Sequence, residues 1–378
     1  APTVANAGAD QLNLCGLTST TLAGNIPGVG TGLWTVISGG GSFAPNTDPT
    51  TTFTGVAGTT HVLQWTITNG ACASSSDQVT IRFDQAPSAA VAGADIAQCA
   101  NGTFTLNATS PAIGTGVWSV ISGTATITNA SSFNTSVTGV PVNSSATLRW
   151  TISSGSCAST TDDVVLTNNT NPTPTLASDD IDNTICSGTT VVFTAGGGTN
   201  YEFFVSGSSV QNGASAIYST STLLNGQIVT VRVTNASGCS ALSSGITMTV
   251  NPLPIATIVS NDADNSICAG SPISFTATPS GASNYNFRVD GVSVQTGASN
   301  VYTTSILSDG DVVDVIVTSV ATCTGTSAGI TMNVDPAPTV ANAGPDQLNL
   351  CGLTSTTLAG NTPVVGTGLW TVISGGGS

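Results

Sequence analysis

The sequence predicts an all-β fold, a linear, semi-rigid array of tandem β-sandwich domains, and three observations carry that prediction. Helix-forming material is scarce: charged residues make up 6% of the 378, there is no lysine, and Glu202 is the sole glutamate. Long helices draw on Ala, Leu, Glu and Lys. Thr, Ser, Val, Asn and Gly dominate instead, which suits pleated strands and tight turns. The chain also repeats itself at the length of a small sandwich.

Taken in order along the first repeat, short alternating runs mark strands near residues 20–23, 33–38, 51–54, 61–68 and 78–83. In the fourth, Leu63, Trp65 and Ile67 share one face while Gln64 and Thr66 take the other, as a half-buried strand requires. Asn69-Gly70, and later Asn225-Gly226 and Asp309-Gly310, are hairpin turn pairs. Several short strands at this spacing imply two packed sheets.

Residues 337–378 repeat residues 1–42 with three changes, Ala9 to Pro345, Ile26 to Thr362 and Gly28 to Val364. A block of about 336 residues is therefore duplicated, and the sequence is expected to be a window on a longer chain. Cysteines at 15, 72, 99, 157, 186, 239, 268, 323 and 351 give a shorter period of about 84 residues. Two types of domain emerge. Type one, residues 1–85 and 86–169, carries GTGLW with LQWTITNGAC, then GTGVW with LRWTISSGSC. Type two, 170–251 and 252–335, replaces the tryptophans with NYEFFVSG and NYNFRVDG. Residues 336–378 open a further type-one domain. Proline pairs at the junctions (171–174, 251–254 and 335–338) favour short, extended connections.

With one histidine and no CxxC pair, the cysteines read as disulfides and not as a metal or redox site. One bridge per domain is expected: Cys15–Cys72, Cys99–Cys157, Cys186–Cys239 and Cys268–Cys323, with the partner of Cys351 beyond the window. Each such bridge staples a small domain by about 2–4 kcal/mol. It also sends tension across the domain through the sulfurs. Both readings place the chain in an oxidising, extracellular setting.

Catalysis is not expected. His61 has no second histidine beside it and reads as an exposed strand-end residue. GVGTG at 28–32 precedes a strand and not a helix, which makes it a turn and not a phosphate loop. Trp34, Trp65, Trp118 and Trp150 read as core residues, with sugar stacking as the lesser alternative. The acidic stretches 178–183 and 260–265 read as solvated turns. The alternative is calcium held by Asp180, Asp182 and Asn183, and by Asp262, Asp264 and Asn265. No other cofactor is expected. A formal charge of −15 argues against nucleic acid and anionic membranes as partners, and no apolar run reaches the length of a membrane span.

ANAGADQ (5–11) and ANAGPDQ (341–347) resemble the opening of PKD-type domains. TICSGTTVVFTA and TNASGCSA are similar to Ig-like repeats of secreted Bacteroidota proteins. LCGLTSTTLAGNTPVVGTGLWTVISGGGS resembles repeats of the SprB-like giant gliding-associated adhesins of flavobacteria. That resemblance implies type IX secretion, attachment at the outer membrane, and a role as a filament giving reach and tensile strength for adhesion and gliding motility. Its partners would be an external surface or polysaccharide and the motility or secretion machinery. The first-type domains lack the DPDG stretch of PKD domains, so no metal site is carried over from them. Two other functions fit the same repeats: a static matrix or surface-layer filament, and a spacer in a secreted polysaccharide-active enzyme.

Overall fold

The computed structural model describes residues 1–375. Among them are strands, turns and no helix, so the chain is all-β. The first repeat is built from β1 (Gln11–Cys15), β2 (Ser19–Thr21), β3 (Thr31–Ser38), β4 (Ser42–Ala44), β5 (Thr52–Thr54), β6 (Thr60–Thr68) and β7 (Ser75–Asp84). One sheet runs in the order β1-β7-β6-β3 and the facing sheet in the order β2-β5-β4. Five of these strands fall where alternation predicts them. β1 and β4 were not predicted. β4 is three residues long, and β1 pairs in parallel with the last strand, Gln11 beside Ile81 and Cys15 beside Asp84. A parallel partner some 70 residues away leaves no local hairpin signal.

The alternation along β6 is strict, with His61, Leu63, Trp65 and Ile67 buried. Trp34 on β3 stands opposite Trp65 on β6 in register, their rings 5.1 Å apart. The second repeat has the same plan: Trp118 faces Trp150, also at 5.1 Å, and Ile96–Cys99 lies parallel to Thr160–Asn169. GTGLW and GTGVW now have a steric reason. A Cβ on Gly32 would stand 2.1 Å from the Trp65 ring, and one on Gly116 would stand 2.0 Å from that of Trp150. The indole lies flat on its neighbour's backbone, and only glycine leaves that space. His61 corrects an expectation: it is fully buried, set edge-on to Phe53 and Phe83. Its Nδ1 bonds to the carbonyl of Gly40. The ring supplies core volume, and position 61, one residue inside β6, points inward with Leu63.

The type-two repeats replace the tryptophan pair with a smaller aromatic stack, Phe203 and Phe193 against Tyr218, and Phe287 and Phe275 against Tyr302. Each has a three-stranded sheet facing a five-stranded one. In each, the cysteine-bearing strand again runs parallel to the last, Thr184–Cys186 beside Thr249–Asn251 and Ser266–Cys268 beside Asn333–Asp335. Gly70, Gly226 and Gly310 of the turn pairs all adopt positive φ, the backbone such turns require.

By packing, the chain divides into two compact units. One holds residues 1–173 with 197–199 and the hairpin Val233–Ala241; the other holds 174–196, 200–232 and everything described from Leu242 onward. Residues 336–375 contain no strand, and the last three residues of the predicted 336–378 element lie outside the described residues.

Candidate functional site: the disulfide joints

The parallel pairing of the first strand with the last decides where the cysteines stand. In each repeat the first cysteine sits beside the final residue of the last strand: Cys15 by Asp84, Cys99 by Asn169, Cys186 by Asn251, Cys268 by Asp335. The second cysteine follows the hairpin that leads into the last stretch of the repeat, at its other end. In the first repeat the whole ten-residue strand Ser75–Asp84 separates the two positions, about 30 Å at the rise of a strand. A disulfide needs Cα atoms within about 7 Å. The bridges expected within repeats, Cys15–Cys72, Cys99–Cys157, Cys186–Cys239 and Cys268–Cys323, are therefore not the ones formed.

The structure instead joins each first cysteine to the second cysteine of the next repeat. The pairs are Cys15–Cys157, Cys99–Cys239 and Cys186–Cys323, with Cα separations of 5.1, 5.6 and 5.6 Å. Cys72, Cys268 and Cys351 carry free, exposed thiols. Cysteine spacing fixed the period but not this connectivity. A signal was present in QLNLC: a short stretch with alternating leucines directly before a first cysteine, able to pair with the last strand and carry that cysteine to the exit pole.

Polar contacts seat each hairpin on the repeat before it. At the first joint the Ser156 N–H and hydroxyl both donate to Asp84 Oδ2 at 2.7 Å, while Arg82 donates to Oδ1 at 2.7 Å. These bonds, the Ser156 amide foremost, hold the Asp84 carboxyl down at about 2, against an ordinary value of 3.8. Gly155 lies so close to that carboxylate that a Cβ would come within 2.3 Å of it. The Cys157 sulfur lies 3.4 Å from the Gln85 carbonyl oxygen. At the second joint Asn235 Nδ2 donates to the carbonyl of Thr170 at 2.9 Å. At the third, Gly325 faces Pro254 of the proline junction, leaving no room for a Cβ.

Many of the acids that give the chain its negative charge are bonded to its own backbone. In ANAGADQ, Asp10 accepts the Thr80 amide at 2.8 Å, and Asp95 accepts that of Val165 at the matching place. Asp77 and Asp162 accept the amides of Ala7 and Ala92. The acidic turns of the type-two repeats behave likewise. Asp180 and Asp182 both accept the Thr184 amide at 2.9 Å, and Asp262 and Asp264 both accept that of Ser266. Bonds from Asp264 and the Ser266 amide hold the Asp262 carboxyl below its usual value. Asn183 and Asn265 close the turns with positive φ, and Asn265 Oδ1 accepts the Ser260 hydroxyl. Among the described residues no three His, Cys, Asp or Glu side chains are grouped to hold a metal.

Trp34, Trp65, Trp118 and Trp150 are at most 2% exposed, which leaves no ring face for a ligand. GVGTG is the turn into β3, where Gly30 packs on the Thr68 carbonyl with φ of 103°.

No family model matches the chain, and no curated protein matches it in sequence. Solved structures similar to it are strings of Ig or fibronectin-like domains. A four-domain ectodomain fragment of ICAM-5 is 12% identical, covering 88% of this chain and 99% of that one at a TM-score of 0.45. Three Ig domains of titin are 13% identical over 66% of this chain and 98% of theirs, at 0.37. The N-terminal eight Ig domains of the Down Syndrome Cell Adhesion Molecule are 11% identical at 0.30, and this chain, matched over 92% of its length, covers 58% of them. The sheets and their pairing make the chain itself an all-β tandem of Ig-like sandwiches, cross-linked from repeat to repeat.

Proposed function

We propose that this chain is a structural repeat segment of a long extracellular filament, displayed on the cell surface, which carries tension between the cell and what it adheres to. The observation that carries this reading is the set of bridges running from each repeat to the next. A staple within a repeat stabilises that repeat alone, whereas a bridge between repeats supplies a covalent line beside the connecting peptide. Persistent disulfides belong to oxidising, extracellular compartments. Trp34, Trp65, Trp118 and Trp150 are spent on the core and acids such as Asp10, Asp77, Asp95 and Asp162 on the backbone, which supports a structural role. The sequence resemblance to flavobacterial gliding adhesins supports the finer reading: export by the type IX system, attachment at the outer membrane, and use in gliding.

The test is fluorescent labelling of live source cells with an antibody raised against the 336-residue block. Label that travels along the cell body is the expected result. Label fixed in material between cells would overturn the gliding role and indicate a static matrix filament. Label on a soluble enzyme fraction would indicate a spacer.

A further inference from the structure

The three free cysteines fall into the same pattern as the six bonded ones. Cys268 occupies the position of Cys15, Cys99 and Cys186 in every respect that the backbone defines. It ends a strand parallel to the last one, beside Asp335, and the next amide, that of Ala269, donates to the Asp335 carbonyl at 2.8 Å. Gly16, Ala100 and Ser187 make the same bond to Asp84, Asn169 and Asn251. Asp335 is also the counterpart of Asp84, the carboxylate on which the next hairpin sits at the first joint. Cys72 occupies the position of Cys157: its amide donates to the Asn69 carbonyl at 3.1 Å, as the Cys157 amide does to Ser154 at 3.1 Å. Gly70 and Gly155 share φ values of 54° and 53°. Where Gly155 abuts Asp84, Gly70 has nothing within 4 Å. One half-joint therefore stands open at 268–335 and its complement at 69–72, while residues 337–378 open a copy of the repeat that carries that complement.

We propose that Cys268 and the strand end at Asp335 receive the 69–72 hairpin of a following copy of the block, closing a disulfide between Cys268 and that copy's counterpart of Cys72. The occupant is a second copy of this sequence, with the Ala71 counterpart's amide placed to bond Asp335 as the Ser156 amide bonds Asp84. Bridging removes one proton and one electron from each of two thiols. An exogenous disulfide, glutathione disulfide in the test below, accepts the electrons and protons and leaves as two thiols. The inference deepens the filament reading, since it continues the cross-links from block to block, but it is tested by bonding alone and not by cellular behaviour.

The experiment uses the whole chain, extended so that residues 337–378 continue through a full copy of repeat one, and oxidised with glutathione disulfide. Thiol titration and mass spectrometry of unreduced peptides read the result. The expected outcome is that the added cysteine is joined to Cys268, with Cys72 and Cys351 still free and two fewer thiols than an unbridged pair would show. Cys268→Ser, at a position unbridged and exposed here, leaves the other bridges intact and the added cysteine as a thiol. An added cysteine joined to Cys351, or one left free alongside Cys268, would overturn the proposal whether or not the protein serves in gliding.

Discussion

Gly32 and Gly28 lie four residues apart in one motif, and the structure gives them opposite tolerances. Gly32 is covered by the Trp65 ring, so Gly32→Ala forces the indole or the strand to move, at a cost of about 1–3 kcal/mol. Around Gly28 a Cβ would meet only the Thr3 hydroxyl, at 3.8 Å, and the second copy carries Val364 there. Gly28→Val should therefore change stability by no more than about 0.5 kcal/mol. Denaturant unfolding followed by tryptophan fluorescence checks both, and equal losses would contradict the packing described. Asp84 yields a pH prediction. Its folded value, about 2, lies below its ordinary 3.8, so the carboxylate's contribution to the first joint is complete above pH 4 and is lost as pH falls towards 2. The Asp84 carboxyl resonance should titrate with a midpoint near 2, and Ser156→Ala should raise it by removing one donor. An ordinary midpoint in the intact chain would mean that the hairpin is not seated on Asp84.

At the scale of elements, two nearly identical stretches show what sequence alone decides. Residues 11–15, 19–21 and 31–38 form strands, while their counterparts after residue 336 form none among the described residues. Trp34 is 1% exposed and its counterpart Trp370 is 54% exposed. The difference is partnership: β1 and β3 are held by β7 and β6, and β2 by β5, whereas nothing within 336–375 repeats residues 52–84. A strand's backbone groups need a neighbour, and here the neighbour is distant in sequence. Extending the chain through a complete copy of repeat one should bury Trp370 and shift its emission to shorter wavelength. Unchanged emission would show that the copies fold differently. The same dependence explains what could be read beforehand. Residues 61–68 announced their strand and inner face by alternation, and the turn glycines announced their hairpins. The same alternation puts His61 on the inner face with Leu63, but the parallel strand β1 and the pairing of the cysteines depended on which distant segment lies alongside, and spacing does not encode that.

For the whole molecule, the consequence is one of covalent topology. The closed loops 15–157, 99–239 and 186–323 overlap in sequence, so every peptide bond from Cys15 to Cys323 lies inside at least one of them. A single protease cut at any proline junction in this span should leave both fragments joined on an unreduced gel and separate them after reduction. Bridges confined within repeats would let the fragments part without reductant. Tension distinguishes the two connectivities as sharply. In the oxidised chain the shortest covalent path from Cys15 to Cys323 crosses one bridge, follows the peptide from Cys157 to Cys186, and crosses a second. However far the sandwiches unfold, those two residues can separate by only about 110 Å, the reach of some 29 extended residues plus two bridges. Bridges within repeats would allow about 300 Å, and the fully reduced chain about 1,000 Å. Single-molecule pulling between handles at these positions, with and without reductant, reads the limit directly. An oxidised extension near 110 Å confirms that the load bypasses most of the folded chain. An extension near 300 Å would return the load path to the linkers and rule out a double covalent connection between successive repeats.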